Sequence, residues 1–414
     1  MLWVFYPDFP DWYFEDHWNQ MIKITCFCSG ITFPHGEATN NRIMMIGKAL
    51  QMKNVQMDIY VNSEGNRNQL NLQLEGSVNG LNYRHLNGSM AIGLSIWKRT
   101  YNYLLIGFFN AALVVKQLSK DRENTIYLYS QGSLFNVWIS FLARLYTICV
   151  VQEVNEWKED IDKRKLHAFI YKKMMFRWAK GAIVISNNIA LQVQRHKAST
   201  KMMEILLLPV LADKNDWANH RHSVTKTFVW CGLIEGYFKD VMFMIGAFSR
   251  IHHQYPEYRL IICGKYKLET IGKVRDKLKS LDVPLEKVEL TGFISNEDLV
   301  RYCQSATALI SPLWDDQASA ARFPSKIADF LFSGRPVLTC NIGEVGRFLQ
   351  DRRTALFFLP SNEDDLADKM RKMIMETGLA NAIGTEGMAL ANDKFDYRVY
   401  ADKLFDFFNA VSLS

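Results

Sequence analysis

Two places in this 414-residue chain combine a strand end, a loop and a cation at the start of a helix. The first lies in residues 307–360. A short apolar run, 307–311, stops at Pro312, and a long polar loop follows. Pro324 and Ser325 open a helix that Gly334 closes, and 337–339 reads as a second buried strand. Proline at the start and glycine at the end is the asymmetry that missing N–H groups and left-handed caps impose. A helix start set after a strand's carboxyl end turns free N–H groups and the positive end of the helix dipole toward one crevice, which suits a phosphate. Ser325 adds a hydroxyl there and Lys326 a cation. The second place is VWCGLIEGYFKD, 229–240, where a strand ends at Gly232 and Lys239 stands just before a helix. By itself such a lysine equally suits a solvated surface. Glu153 and Glu156 end another strand (Gln152-Glu153-Val154-Asn155-Glu156-Trp157). Either carboxylate serves as a general base only within hydrogen-bond reach of an attacking oxygen, and strand-end glutamates also act as helix caps or surface acids. Asp160-x-Asp162 opens a helix, so it reads as dipole compensation rather than a metal site. No G-x-G-x-x-G occurs, which disfavours a nicotinamide dehydrogenase.

The elements that must position these residues form two successive βα series. In the first, 22–29 is a strand, 38–51 a helix with Ile43, Met44, Ile46 and Leu50 on its apolar face, and 55–61 a strand, a βαβ start that predicts a parallel sheet. Residues 62–90 are polar and read as a loop with uncertain strands. Helices are expected over 111–118, 134–145, 160–178 and 187–195, and strands over 125–130, 146–154, 182–186 and 205–209. Residues 212–225 are polar and break the apolar rhythm, a linker signal. The second series has strands at 227–231, 259–263 and 288–291 and helices at 241–255, 268–281 and 296–305, the last capped by Asn296. Helices at 362–375 and 396–411 finish the chain.

Length alone makes two domains the default. A charged fraction of 22% beside 49% hydrophobic residues is that of a folded globular chain, and a net charge of +6 is too small to indicate a nucleic-acid binder. Seven scattered cysteines, an odd number without paired spacing, read as reduced thiols in a cytosolic protein. Cys26 and Cys28 point to one face of a strand with no histidine cluster beside them, so zinc is not expected. No apolar run is long and uninterrupted enough to span a bilayer: Arg144 interrupts the longest. The first twenty residues hold eight aromatics and four acids but no basic segment or small-residue cleavage site, and read as an extension, or as an arm for a partner or membrane interface.

The run Phe323-Pro324-Ser325-Lys326-Ile327-Ala328-Asp329-Phe330-Leu331, then Gly334-Arg335-Pro336-Val337, resembles the donor-binding motif of family 4 (group 1) GT-B glycosyltransferases, in the subgroup that carries FPSK(I)xE. The family's paired glutamates, eight apart, fall at Ala321 and Asp329, so the acid that holds the nucleotide ribose is kept in shortened form and the one that contacts the transferred sugar is lost. The family's G-R-(x)5-K-G element, whose Arg and Lys grip the diphosphate, falls on Gly232, Leu233 and Lys239. Its arginine is missing here, and Arg322 or Lys326 is the expected compensation. Gly264 resembles the glycine of the family's (I/V)xGxG strand-end turn, whose second glycine is missing here, and Gly292-Phe293-Ile294 resembles the turn where backbone groups meet the base. Gly36, in the loop before the first helix, matches a loop that approaches the donor phosphates from the first domain. Asn41 and Arg42 resemble the helix start of some polysaccharide transferases, and 152–157 resembles their V-x-E-x-N-E run.

The resemblance implies an α/β protein of GT-B fold, two Rossmann-like doubly wound domains facing across a cleft. Residues 1–20 would be a non-family extension, 21–212 the acceptor-side domain, 213–395 the nucleotide-sugar domain, and 396–414 a helix returning to the first. It implies a retaining, metal-independent hexosyltransferase that moves a sugar from a nucleotide diphosphate sugar, its co-substrate, to a saccharide or lipid-linked acceptor without a cofactor, in polysaccharide or glycoconjugate synthesis. Glu153 and Glu156 are the candidates at the acceptor; donor contacts fall to Gly36, Arg42, Gly232, Lys239, Gly264, Phe293, Ile294, Arg322, Ser325, Lys326 and Asp329. A cytoplasmic location is implied, and the basic stretch 163–180 is open to two readings, a solvated face or contact with an anionic inner leaflet. A sugar-nucleotide epimerase and an inactive nucleotide-sugar-binding member of the fold are the alternatives.

Overall fold

The computed structural model describes residues 22–31, 33–35, 38–62, 73–87, 95–121, 123–129, 134–157, 174–196, 203–217 and 222–413. The extension 1–20, Gly36 and residues 160–173 of the expected basic helix lie outside them.

The first half of the chain builds one eight-stranded sheet. In chain order its elements are β1 (Lys23–Ser29), α1 (Ala38–Gln51), β2 (Gln56–Asn62), β3 (Glu75–Val78), β4 (Leu81–His85), α2 (Ile96–Tyr101), a π-helical segment (Asn102–Ile106), α3 (Gly107–Leu118), β5 (Asn124–Tyr129), α4 (Leu134–Leu145), β6 (Cys149–Val154), β7 (Gly181–Val184), α5 (Asn187–His196) and β8 (Glu204–Leu207). The strand order is β3-β4-β2-β1-β5-β6-β7-β8, parallel except for the edge pair β3–β4. β1 lies between β2 and β5, with Cys26 opposite Ile59 on one side and Tyr127 on the other. Helices cover both faces, so strands such as β1 are buried along nearly their whole length rather than in alternation.

Two expectations change here. Residues 62–90 include the β3–β4 hairpin, whose polar outward positions mask its period in sequence. The helix expected from 111 begins at Ile96, through the π-helical turn. Asn62, at the end of β2, donates to the Tyr103 carbonyl at 3.2 Å, and Gly107 leaves room for it: a Cβ there would collide with the Asn62 amide. A side chain inserted into the helical ladder is a standard cause of such a distortion.

The second half builds a six-stranded parallel sheet of order β11-β10-β9-β12-β13-β14. Its elements are β9 (Thr227–Cys231), α6 (Phe238–Ser249), β10 (Arg259–Cys263), α7 (Leu268–Ser280), β11 (Val288–Gly292), α8 (Asn296–Ser305), β12 (Ala308–Ser311), α9 (Gln317–Ala321), α10 (Lys326–Phe332), β13 (Val337–Thr339), α11 (Gly343–Phe348), β14 (Leu356–Phe357), α12 (Glu363–Met375), α13 (Thr377–Lys394) and α14 (Ala401–Leu413). Ser295, not Asn296, caps α8, accepting from the Asp298 amide at 3.0 Å. α10 opens at Lys326, with Ser325 already helical and making no side-chain cap; the Ile327 amide donates to the Pro324 carbonyl. The expected 396–411 helix is a 3₁₀ turn, Tyr397–Tyr400, followed by α14.

The chain crosses between the sheets twice, and the crossings are zipped together. The Ala212 amide donates to the Phe395 carbonyl at 2.9 Å, and the Tyr397 amide donates to the Ala212 carbonyl at 3.2 Å. Asp213 binds Lys48 of α1 at 3.0 Å and Arg398 at 2.9 Å, and Arg398 also grips Asp396. Leu404, Phe407, Phe408 and Val411 of α14 are buried against the first domain, where Gly181 admits Phe407 and Val411 and Tyr127 meets Phe408 edge-on. At about 1.5–3 kcal/mol per buried apolar side chain, those four residues outweigh the ion pairs as the force holding α14 down.

Burial alone would raise the Asp213 carboxyl, but Lys48, the Asn215 amide and Arg398 together hold it below its ordinary value. A carboxylate depressed in the folded state contributes stability that is present above its unfolded pKa and lost as pH falls through the folded one. Asp213→Asn is therefore expected to lower the denaturant midpoint at neutral pH by an amount equivalent to about 1–3 kcal/mol. The gap to wild type should close in titrations taken below pH of about 4.

Candidate crevice between the two sheets

In an open parallel sheet the crevice forms beyond the carboxyl ends of the strands where the order reverses. In the second sheet that point lies between β9 and β12, because β9 continues to β10 on one side and pairs with β12 on the other. The chain leaves β9 at Gly232 and reaches Lys239 at the start of α6; it leaves β12 at Pro312 and reaches Trp314. These two loops meet. Lys239 Nζ stands 3.4 Å from the centre of the Trp314 ring, and Trp314 Nε1 donates to Asp240 Oδ1 at 2.6 Å. Asp316 caps α9 by accepting from the Ser319 amide at 2.7 Å, and the Trp314 amide donates to Ser319 Oγ at 3.3 Å, which fixes the loop that presents the indole. Lys239 is exposed and Asp240 is buried.

Arg322 stands next along this edge, its guanidinium 5.0 Å from the centre of the Tyr237 ring, with a buried Nε that has no hydrogen-bond partner among the described residues. Lys326 and Asp329 pair with each other at 2.9 Å, one turn apart on α10. Burial would lower the Lys326 ammonium, but the Asp329 carboxylate outweighs it and holds the group above its ordinary value. Ser325 is exposed. Leu233, in the position of the absent arginine, is also exposed.

Gly232, Gly264 and Gly292 converge at the ends of β9, β10 and β11. The Gly232 amide donates to the Cys263 carbonyl and the Gly264 amide to the Gly292 carbonyl, each at 3.0 Å. Gly264 has φ of +154°, and a Cβ there would collide with the Gly232 carbonyl, so this crossing admits only glycine. Beyond it Phe293 is exposed, with Lys265 Nζ 5.0 Å from its ring centre, and Ile294 packs partly into the core.

The first sheet turns its own carboxyl edge toward this one. Ser186, after β7, donates from Oγ to the Ala321 carbonyl at 2.6 Å. The Asn187 amide, at the start of α5, donates to Glu344 Oε1 at 2.7 Å. Ala321 is thus buried against the first domain at the position where the resembled motif carries an acid. Two of the sequence candidates are not at this crevice surface. Arg42 and Glu153, 6% and 3% exposed, bind each other at 2.5 Å. Arg42 also donates to the carbonyls of Leu208 and Pro209, and Glu153 accepts from the Tyr127 hydroxyl at 2.6 Å. Their polar atoms hold α1, β5, β6 and the end of β8 together, so Glu153 does not present a base and Arg42 does not close over a ligand. Glu156, beyond the end of β6, is half-buried. Among the described residues no group of three or more His, Cys, Asp or Glu side chains is arranged to hold a metal ion.

Sequence reasoning did not single out Trp314, Asp240, Ser186 or Glu344. Trp314 had a local signal, an aromatic just past a strand-terminating proline, and Asp240 had its place beside Lys239. Ser186 and Glu344 act through the partner domain and had none. Burial raises the Asp240 carboxyl above its ordinary value, offset in part by the Trp314 hydrogen bond and by Arg322 and Lys239. A carboxyl raised in the folded state favours folding below its unfolded pKa and loses that contribution as pH rises through the folded value. Asp240→Asn keeps the acceptor for Trp314 and removes the buried charge. Its melting temperature relative to wild type is expected to rise as pH goes from 4 to 7, the opposite trend to Asp213→Asn.

Residues 225–376 match the family model for glycosyl transferases group 1, a stretch that holds both Lys239 and Asp329. No curated protein sequence matches the chain. Among solved structures, HepE from Anabaena in complex with UDP-glucose is similar over 93% of this chain and 99% of its own, with a TM-score of 0.69 at 13% identity. Sucrose-phosphate synthase from Thermosynechococcus elongatus aligns over 94% of this chain and 99% of its own, also with a TM-score of 0.69 and 13% identity. TarM from S. aureus, in complex with fondaparinux, alpha-GlcNAc-glycerol and UDP, aligns over 95% and 100%, with a TM-score of 0.69 and 11% identity. The two facing sheets are the GT-B fold, and the domain that carries the Lys239–Trp314 contact matches the glycosyl transferases group 1 model.

Proposed function

We propose that the protein is a glycosyltransferase that moves a sugar from a nucleotide diphosphate sugar to a saccharide or lipid-linked acceptor. The observation that carries this reading is the exposed Lys239 ammonium held over Trp314 where the strand order of the second sheet reverses. A fixed cation there neutralises a leaving diphosphate without reorganisation in the transition state. Arg322 is the second cation in this reading and stands in for the arginine replaced by Leu233; its unpartnered Nε supports that role. Lys326 is already committed to Asp329. In this reading the pair meets the nucleotide ribose, with Asp329 accepting from its hydroxyls and Lys326 fixing the carboxylate. Ser325 meets a phosphate oxygen, and Gly232, Gly264, Phe293 and Ile294 face the diphosphate and base. Gly36, outside the described residues, keeps only the role that the resemblance implies, an approach to the phosphates from the first domain. Glu156 is the remaining carboxylate candidate at the acceptor.

In this proposal the transfer needs no metal, because cations and amides would balance the diphosphate; retention, a hexosyl group and the lack of a cofactor come from the family resemblance alone. UDP is the first nucleotide to test, since HepE and TarM were solved with it. Polysaccharide or glycoconjugate synthesis on the cytoplasmic side of a membrane fits a lipid-linked acceptor. The rival reading, a nucleotide-sugar-binding protein without transfer, is favoured by the buried Ala321 in the place of the sugar-contacting acid. Release of an altered sugar nucleotide in the absence of acceptor would mark an epimerase instead.

A thermal-shift screen of UDP, GDP, ADP and their sugars is the first measurement. A ligand at about a hundred times its dissociation constant stabilises the folded state by about 2.7 kcal/mol. Lys239→Ala should lower the transfer rate at least about tenfold with unchanged melting temperature, and Arg322→Ala should weaken nucleotide binding by a factor of about ten, the scale of one charge-assisted hydrogen bond. Normal turnover in Lys239→Ala would remove the assignment. Binding without turnover across an acceptor panel would favour the rival.

A further inference from the structure

The flank of the first domain carries an apolar band that the donor chemistry does not use. Trp97, Tyr101, Leu105, Phe109 and Leu113 recur every fourth residue from α2 through α3, and each has more than half of its surface exposed: 82, 56, 59, 64 and 51%. In a regular α-helix a four-residue step drifts around the axis by about 40°. The π-helical segment Asn102–Ile106 puts more residues into one turn and slows that drift, so the band stays on one side over roughly 24 Å. α4 extends it. Trp138 Nε1 donates to the Phe108 carbonyl and its ring stacks on the exposed Phe141, while Leu145 is exposed one turn further on. Phe141 in turn meets Trp178, beside Arg177, at the end of the basic stretch 163–180.

The charge pattern says what covers the band. Residues 95–120 contain Lys98, Arg99, Lys116 and Lys120, and residues 134–152 contain Arg144, with no aspartate or glutamate in either. Lys98, Lys116, Lys120 and Arg144 are exposed. Aromatic and leucine side chains along a helix whose charged residues are all cations, with the first acid at Asp121 just past its end, are the pattern of a segment lying in a bilayer interface with its lysines among anionic headgroups. A folded protein partner would have to supply a complementary groove that is apolar and acidic at once. No described helix is long and apolar enough to cross a membrane, so contact would be from one side.

We propose that the α2–α3 band, extended by Phe141 and Leu145 of α4, docks the first domain on a membrane surface rich in anionic lipid. This inference stands apart from the donor reading and does not fail with it. The test is co-sedimentation of the full chain with mixed phosphatidylglycerol–phosphatidylcholine vesicles and with pure phosphatidylcholine vesicles. Wild type is expected to sediment with the mixed vesicles and much less with the neutral ones. Leu105→Glu/Phe109→Glu should lose binding by about tenfold or more, and Lys116→Glu/Lys120→Glu should lose it in part and become less sensitive to salt. Both substitutions are on exposed side chains, so unchanged melting temperatures and unchanged nucleotide thermal shifts are expected. Absence of wild-type binding to either vesicle overturns the proposal, as does equal binding to both or full binding by Leu105→Glu/Phe109→Glu. A wild-type dimer that this variant splits, without vesicle binding, would assign the band to a second copy of the chain and overturn it equally.

Discussion

The paired crossing at Ala212 and Asp396 is the constraint on which the rest of the molecule depends. Two parallel sheets joined by one flexible linker would take many relative positions. Here the outgoing and returning strands of chain hydrogen-bond to each other, and Asp213 ties both to α1 through Lys48 and Arg398. The apolar face of α14 then fixes the returning segment to the first sheet. With this double anchor at one end, the carboxyl edges of the sheets face each other, and contacts as short as Ser186–Ala321 and Asn187–Glu344 become geometrically available. The anchor is made of ion pairs that titrate and a hydrophobic contact that does not. Loosening the former at low pH therefore leaves the latter in place.

Charge in the crevice is divided between groups already satisfied and groups left over. Arg42 and Glu153 are spent on each other and on two carbonyls; moving either would strand a buried charge, at a cost of about 3–5 kcal/mol. Lys326 and Asp329 are paired and only partly buried, so solvent screens some of their attraction and a ligand can share it. Lys239 rests on an aromatic face, which orients an ammonium without neutralising it. Asp240 beneath it is buried and hydrogen-bonded to the same indole. Lys239 and Arg322 thus make no direct ion pair among the described residues, while the buried Asp240 carboxylate acts on both and positions the ring that holds Lys239.

The flank of the first domain follows a different rule. Its helices bury one side against the sheet, where Ala111 and Val115 are fully enclosed, and present aromatic and aliphatic side chains outward as well. A helix apolar on both sides is unusual for a surface in contact with water alone. The π-helical turn that aligns the outer band is itself set by Asn62, whose place is fixed by β2, against Gly107 at the start of α3. The sheet therefore determines the register of a surface on the far side of the helix.

Local sequence settled the elements whose signals lie within a few residues. The buried strand runs, Gly334 at the end of α10, and the two βα series with a polar break near 212–225 all follow from period and turn chemistry. So did the facing arrangement, through the resemblance of 323–337 to a known motif. The cap of α8 slipped by one residue, from Asn296 to Ser295, because adjacent polar residues offer the same local chemistry. What the sequence left open were pairings between distant residues. Arg42 and Glu153 carry the residue types of a binding site and a base, yet 111 positions apart they fold into a buried ion pair. Trp314 beside Lys239, Ser186 beside Ala321, and the β3–β4 hairpin are likewise products of which strands become neighbours. Local propensity acts over one or two turns of chain, whereas the order of strands in the sheet decides which strand ends share a crevice.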